Sequence, residues 1–401
     1  MKKVVLAFSG GLDTSFCVPY LKEKGCEVYA VTVDTGGFSS EDIEKIKEKS
    51  KELKVKKHYF IDGKKALYSK IVVYVIKANI LRGGVYPLSA GPERIIQATE
   101  VVKIAKKIGA TAIAHGSTGA GNDQVRFDVA IKTLASEMEI MTSIRDLGIS
   151  REEETKYLEK HGFTVEKKSK SYSINKGLLG TTIGGKETKD SWTVPPDDVY
   201  TSVVSIKNAP ANGEEITISF LNGLPVKVNG KEMPGIEIMD YLDALGAKHG
   251  VGKGVHLGNT ILGIKGRIVF EAPAALILIK AHKELEKLVL TKWQSFWKDI
   301  VSEAYGNFLH EGLYFDPVVK NIEALIDSSQ DVVSGEVKIV LHKGNILVIG
   351  VKSPYSLMDK KVATYGEQNL LWTGEEASGF SKIYGLQGVL AHKAKILGEE
   401  L

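Results

Sequence analysis

One stretch near the N-terminus constrains the fold more than any other. Val4, Val5, Leu6, Ala7 and Phe8 form an apolar run that reads as a buried strand. Ser9-Gly10-Gly11 turns the chain. Asp13, Thr14 and Ser15 then stand as N-cap and first-turn residues of a helix running toward Lys24. Strand, glycine turn and helix start gather backbone N–H groups and a positive dipole end at one spot. The glycines let a phosphate approach the backbone, and Ser9, Thr14 and Ser15 add hydroxyl groups. No Lys follows the glycines, so this phosphate cradle is not a Walker A loop.

The βα unit repeats. Apolar strands are expected at Glu27–Val33, Lys57–Ile61, Thr111–Ala114 and Glu139–Ile144. Helices are expected over residues 40–54, 64–81, 93–108 and 150–161, with Gly109 as a helix stop. Such alternation implies a parallel sheet covered on both faces. Ligands of such sheets sit beyond the carboxyl ends of the strands, so the loops after the first, second and fourth strands should converge. The expected fold class is α/β: a Rossmann-like parallel sheet over residues 1–165, a second α+β domain over 166–375 and a C-terminal helix over 376–401.

Composition shifts after residue 165 to a Lys-, Ser-, Gly- and Thr-rich stretch closed by Pro195-Pro196. Short alternating runs at Glu215–Phe220 and Pro225–Val228 predict antiparallel strands. Helices are expected over 235–248, 274–290 and 291–309, and a hairpin over Val337–Leu341 and Asn345–Val351. Trp293 and Trp297, four apart on a helix, read as core residues. The apolar residues of the final helix have little neighbouring sequence to cover them.

A second glycine-rich loop, His115-Gly116-Ser117-Thr118-Gly119-Ala120-Gly121, leads into Asn122-Asp123-Gln124-Val125-Arg126. Its donors and acceptors of mixed sign suit a zwitterion: Asp123 for an ammonium, backbone N–H, Thr118 and Asn122 for a carboxylate, and Arg126 as a planar fork. Gly180–Lys186 matches GxxxxGK but continues with Glu187, which favours a substrate loop over a Walker A site. His115, His249 and His256 have no metal-ligand spacing and read as core or loop residues. Only six of the 53 basic residues are Arg, against a nucleic-acid reader built on Arg forks. Cys17 and Cys26 form no CxxC pair, so neither a zinc site nor a disulfide framework is expected. No apolar run is long enough to span a membrane, and the Met-Lys-Lys start does not read as a secretory leader. A cytoplasmic location is the expectation.

Together these residues resemble a known family. Phe8-Ser9-Gly10-Gly11-Leu12-Asp13-Thr14-Ser15 is similar to the pyrophosphate loop of the adenine-nucleotide α-hydrolase-like ATP pyrophosphatases. His115 to Phe127 resembles the signature of their argininosuccinate synthase family. Tyr172-Ser173-Ile174-Asn175 and Lys248-His249-Gly250-Val251-Gly252 extend the likeness. The resemblance implies ligation of citrulline and aspartate through a citrullyl-adenylate, with ATP and Mg²⁺ and release of AMP and pyrophosphate. It implies ATP contacts at Ala7, Phe8, Ser9, Gly10, Gly11, Leu12, Asp13, Thr14, Ser15, Val33 and Gly116. Aspartate contacts fall on Thr118, Asn122 and Asp123, and citrulline contacts on Tyr86, Asn122, Arg126, Ser173 and Thr182. Asp13 and Asp123 are the catalytic candidates, and the metal is held through ATP phosphates rather than by side chains. A homotetramer is implied, with no nucleic-acid or membrane partner.

Three departures mark the chain as a divergent branch. Gly258 stands where the family has Glu, Phe270 where it has Tyr, and Pro87 to Pro92 lacks the usual Gly-Thr-Ser. Removing a carboxylate that pairs with a buried ammonium costs roughly 2–5 kcal/mol unless another group replaces it. Asn259, Thr260 and His256 are the candidates. The alternative is another ATP-pyrophosphatase ligase acting on a modified citrulline or another amide or ureido substrate.

Overall fold

In the computed structural model, residues 1–165, 172–359, 366 and 371–399 are described. The apolar runs of the first 160 residues become strands and the segments between them helices. In chain order they are β1 (Lys2–Ala7), α1 (Leu12–Glu23), β2 (Cys26–Asp34), α2 (Ser40–Glu52), β3 (Lys57–Asp62), α3 (Lys64–Leu67), α4 (Val73–Lys77), α5 (Glu93–Ile108), β4 (Ala112–His115), α6 (Asp123–Leu134), β5 (Glu139–Met141), α7 (Ser143–Leu147) and α8 (Arg151–Lys160). The expected helix over 64–81 ends at Lys77 and carries a π-helical turn, Tyr68–Val72, between α3 and α4. The expected strand over 139–144 stops at Met141, and α7 takes its last residues. α5 ends at Gly109, whose φ of +64° suits a residue without a Cβ.

The five strands are parallel in the order β3-β2-β1-β4-β5. β1 lies at the centre, with Val4, Val5 and Leu6 fully buried. Strand order reverses between β1 and β4, and Ala7 pairs with His115 there. The two glycine-rich loops therefore leave the sheet side by side, at the position where open α/β sheets bind ligands.

The second half adds β6 (Tyr172–Gly177), β7 (Gly180–Gly185), β8 (Glu214–Leu221), β9 (Leu224–Val228), β10 (Lys231–Glu232), α9 (Gly235–Lys248), β11 (Lys253–Asn259), β12 (Lys265–Glu271), α10 (Pro273–Val289), α11 (Lys292–Glu311), α12 (Pro317–Ser329), β13 (Gly335–His342) and β14 (Asn345–Lys352). These strands form two antiparallel sheets, β11-β12-β7-β6 and β10-β9-β8-β13-β14. The Gly180–Lys186 segment is thus not a loop. It is strand β7, bonded on both sides, with Lys186 starting a short 3₁₀ turn. Glycines disguised it, because Gly180 passes within Cβ-contact distance of the Glu271 carbonyl and leaves no room for a side chain.

Residues 1–355 form one compact unit and residues 356–401 another. The main apolar core of the first unit runs from Val5 in the parallel sheet to Leu341 in β13. Among its described residues the second unit contains two helices, α13 (Gly374–Tyr384) and α14 (Leu386–Glu399), where one was expected. The stretch 166–171, at the expected boundary after residue 165, lies outside the described residues. Trp293 and Trp297 are not core residues. They are 62% and 57% exposed, beside exposed Phe296 and Ile300 on α11. Helical spacing reveals a shared face but not whether that face is covered.

Candidate active site

The phosphate cradle forms from local bonds. Gly10 has φ +72°, and its N–H neighbour Gly11 donates to Ser9 Oγ at 3.3 Å. Thr14 Oγ1 donates to the Gly11 carbonyl at 3.3 Å, and Ser15 Oγ to the Gly10 carbonyl at 3.4 Å. Gly11, not Asp13, occupies the N-cap, and no side chain caps the helix. The first N–H groups of α1 are therefore left for a ligand. Asp13 lies in the first turn. Glu154, buried on α8, faces it: burial and then the charge of Asp13 raise the Glu154 pKa to about 8.

Gly116, at the end of β4, lies against this cradle. A Cβ there would come within 3.1–3.3 Å of Thr14 and Asp13 atoms. The first and fourth loops thus converge as expected. The loop after β2 packs on the β6–β7 hairpin: Gly36 and Gly37 lie against residues 176–178, and Leu178 N–H donates to the Thr35 carbonyl at 2.9 Å. Val33 is buried at the end of β2. Among the described residues no group of three or more His, Cys, Asp or Glu could hold a metal ion. The donor set of this loop, N–H and hydroxyl groups, fits phosphates that bring their own cation.

Beside the second loop lies a cavity of about 140 Å³ between the β4–α6 region and the β11-β12-β7-β6 sheet. Its walls bring together Tyr86, Asn122, Asp123, Arg126 and Thr182, five of the residues singled out by resemblance. Thr118 is exposed on the loop beside it. Ser173 is exposed on β6 and does not line the cavity; Asn175, opposite Thr182 in the hairpin, does. A larger cavity of about 900 Å³, between residues 78–84, α10 and α11, contains none of the predicted residues.

The electrostatics differ from the open zwitterion site expected. Asp123 is engaged on both oxygens, by Arg94 Nε at 2.9 Å and Arg126 Nη1 at 2.8 Å. Burial alone would raise its pKa, but the two guanidiniums outweigh this and hold it at about 2. Arg126 also donates from Nε to the His310 carbonyl at 2.8 Å. Burial, then Arg126 and Arg82, push the His310 pKa down to about 3. Asn122 Oδ1 accepts from Ile261 N–H at 2.9 Å, tying α6 to the turn after β11. The Tyr86 hydroxyl turns back on its own loop, accepting from Ala90 N–H at 3.1 Å and lying 3.2 Å from the Ala90 carbonyl.

His256, read from sequence as an ordinary core or loop residue, is buried in the cavity wall. It stacks on Tyr86 with ring centroids 5.3 Å apart, and its Nε2 has no hydrogen-bond partner. Gly258 makes room for it, because a Cβ there would lie 2.5 Å from His256 Nε2. Phe270 is buried behind Tyr86. Arg82, Arg94 and His310 were missed in the sequence. The scarcity of Arg was the available signal, since three of the six meet in this cavity.

Comparison with known proteins identifies the family. Residues 3–164 match the arginosuccinate synthase N-terminal HUP domain and residues 172–391 the arginosuccinate synthase C-terminal domain. The chain is 43% identical to an argininosuccinate synthase of Pyrococcus furiosus over 391 residues, covering 97% of this chain and 94% of that one. It is 41% identical to the enzyme of Xanthomonas campestris, covering 97% and 98%. It is 40% identical to that of Methanocaldococcus jannaschii, covering 98% of each. With a glycine cradle at the sheet's switch point, an Asn122–Arg126 wall beside it and both family domains matched, the chain belongs to the argininosuccinate synthase family.

Proposed function

We propose that this protein joins a citrulline-type ureido amino acid to aspartate, as a C–N ligase of arginine biosynthesis. The ureido oxygen attacks the α-phosphorus of ATP. An O–P bond forms, the bond between the α-phosphorus and the bridging oxygen breaks, and pyrophosphate leaves. The α-amino nitrogen of aspartate then attacks the activated ureido carbon. A C–N bond forms, the C–O bond to AMP breaks, and the amine gives up a proton.

The observation that supports this reading is the close approach of Gly116 to the cradle, where a Cβ would lie 3.1–3.3 Å from Thr14 and Asp13 atoms, on the loop that leads into the Asn122–Arg126 cavity wall. The loop Ala7–Ser15 binds and orients the departing pyrophosphate with its free helix N–H groups. Mg²⁺ held on the phosphates would neutralise charge as pyrophosphate forms. Val33 and Gly116 border the nucleotide. Thr118, Asn122 and Asp123 take aspartate, while Tyr86, Asn122, Arg126 and Thr182 take the ureido substrate, with Ser173 at the edge of β6. Asp13 and Asp123 act by placing charge and orienting partners, because the rate gain of such a site comes mainly from alignment. A division at residues 165/166, a homotetramer and a cytoplasmic location accompany the proposal. Exposed apolar residues on α13 and α14, among them Phe380, Ile383 and Leu390, support the assembly.

Pyrophosphate release from ATP, followed with and without a ureido amino acid and aspartate, tests the reading. Release that requires the ureido compound, with AMP accumulating only when aspartate is added, is expected. Release without the ureido compound would remove the assignment.

A further inference from the structure

The cavity beside the β4–α6 loop has one carboxylate, Asp123, in its wall. Four side chains in its wall are ionised: Arg82, Arg94, Asp123 and Arg126. The single carboxylate is already shared by Arg94 and Arg126. Arg82 makes no ion pair among the described residues. Its one side-chain hydrogen bond there, Nη1 to the Asn259 carbonyl, is long at 3.3 Å. Two imidazoles complete the wall. Both are more than nine-tenths buried, and each has an Nε2 without a partner. Burial and the neighbouring guanidiniums lower both pKa values, so both rings are neutral near pH 7.

An ammonium entering this wall meets an excess of positive charge and no unshared carboxylate. An amide meets complementary groups instead. A neutral imidazole offers a lone pair and an N–H, and an amide offers an N–H and a carbonyl. The ureido end must reach the crevice between the β1 and β4 loops, so the α-carbon end lies toward Arg82, His256 and Gly258. Gly258 holds that end open for His256, since any side chain there meets the ring.

We propose that the ureido substrate is a citrulline whose α-nitrogen is acylated, with Arg82 pairing with a carboxylate at that end and His256 facing the amide. This rests on the ligase reading above. The reacting atoms are unchanged, and only the substrate class is narrowed.

The test measures product formation by the full-length protein with saturating ATP, Mg²⁺ and aspartate. The probes are citrulline, N-acetylcitrulline and N-succinylcitrulline. Acylated probes should exceed citrulline in kcat/KM by about 10-fold or more, because the wrong substrate leaves buried polar groups unpaired. N-succinylcitrulline, with its second carboxylate, should be the better of the two. Arg82→Ala should raise KM for the acylated probes about 10-fold while changing kcat less. Citrulline equal to or better than both acylated probes overturns the substrate proposal and leaves the ligase reading intact. No product with any of the three removes both. The wild-type ratio decides the matter even if the Arg82 variant fails to fold.

Discussion

Two buried charge clusters separate what holds this protein together from what binds. In the second half, Lys298 is fully buried with its Nζ 2.7 Å from Glu286 Oε1. Gln330 Nε2 donates to Glu286 Oε1 at 2.9 Å, and Asn79 Nδ2 donates to Oε2 at 2.5 Å. One positive and one negative charge are thus paired, and the carboxylate is saturated. At the cavity, two guanidiniums share one carboxylate, a third stands nearby, and two imidazole nitrogens have no partner. A closed, balanced cluster has nothing to offer a ligand. An open, unbalanced one retains positive charge and unused polar atoms at a cavity wall, which an anionic ligand can neutralise.

Substitutions sharpen that contrast. Lys298→Ala should have the largest effect on folding. It leaves Glu286 as an uncompensated buried charge and should cost about 3–5 kcal/mol, measured by denaturant unfolding. The folded fraction should keep its KM values. Asp123→Asn should invert the pattern. It removes the charge shared by Arg94 and Arg126, so kcat/KM should fall about 100-fold or more, roughly 3 kcal/mol in the transition state. Unfolding free energy should change by less than this. If Asp123→Asn destabilises as much as Lys298→Ala and the remaining folded protein is fully active, the two clusters play one role.

Gly116→Ala should be milder. Its Cβ would press on Thr14 N at 3.2 Å, in the first turn of α1. KM for ATP should rise about 10-fold with little change for aspartate. The smallest effect belongs to Glu93, at the start of α5. Burial raises its pKa from the ordinary 4.5 to about 8. From pH 4.5 to 8 the folded state therefore binds more protons than the unfolded state, and stability falls as pH rises. Glu93→Gln cannot titrate. Its melting temperature should exceed that of the wild type by roughly 2–4 °C more at pH 8 than at pH 5. A difference independent of pH would show that Glu93 is ionised in the folded protein.

The parallel sheet was legible because its strands are continuous apolar runs such as Val28–Val33, and its helices carry stops such as Gly109. The β11-β12-β7-β6 sheet was not. Each of its strands contains Gly, and β7, Gly180–Gly185, is only Gly, Thr and one Ile, so a period of two is poorly marked. The Ser9–Ser15 turn was legible because its form lies in local backbone geometry. The amino-acid cavity was legible only in part. Asn122, Asp123 and Arg126 fall in one motif, but Arg82, Arg94, His256 and His310 come from four separate segments, and only the fold brings them together. Asp123 shows the same limit: the sequence marks a carboxylate in a polar loop, while its two Arg partners are matters of packing.

The most direct measurement is ATP-dependent pyrophosphate release in the presence and absence of each acceptor. If the proposed ligase assignment holds, release depends on a ureido amino acid, acylated or free, and AMP formation depends on aspartate as well. Pyrophosphate released with no ureido compound present, or none released with any of them, would contradict it.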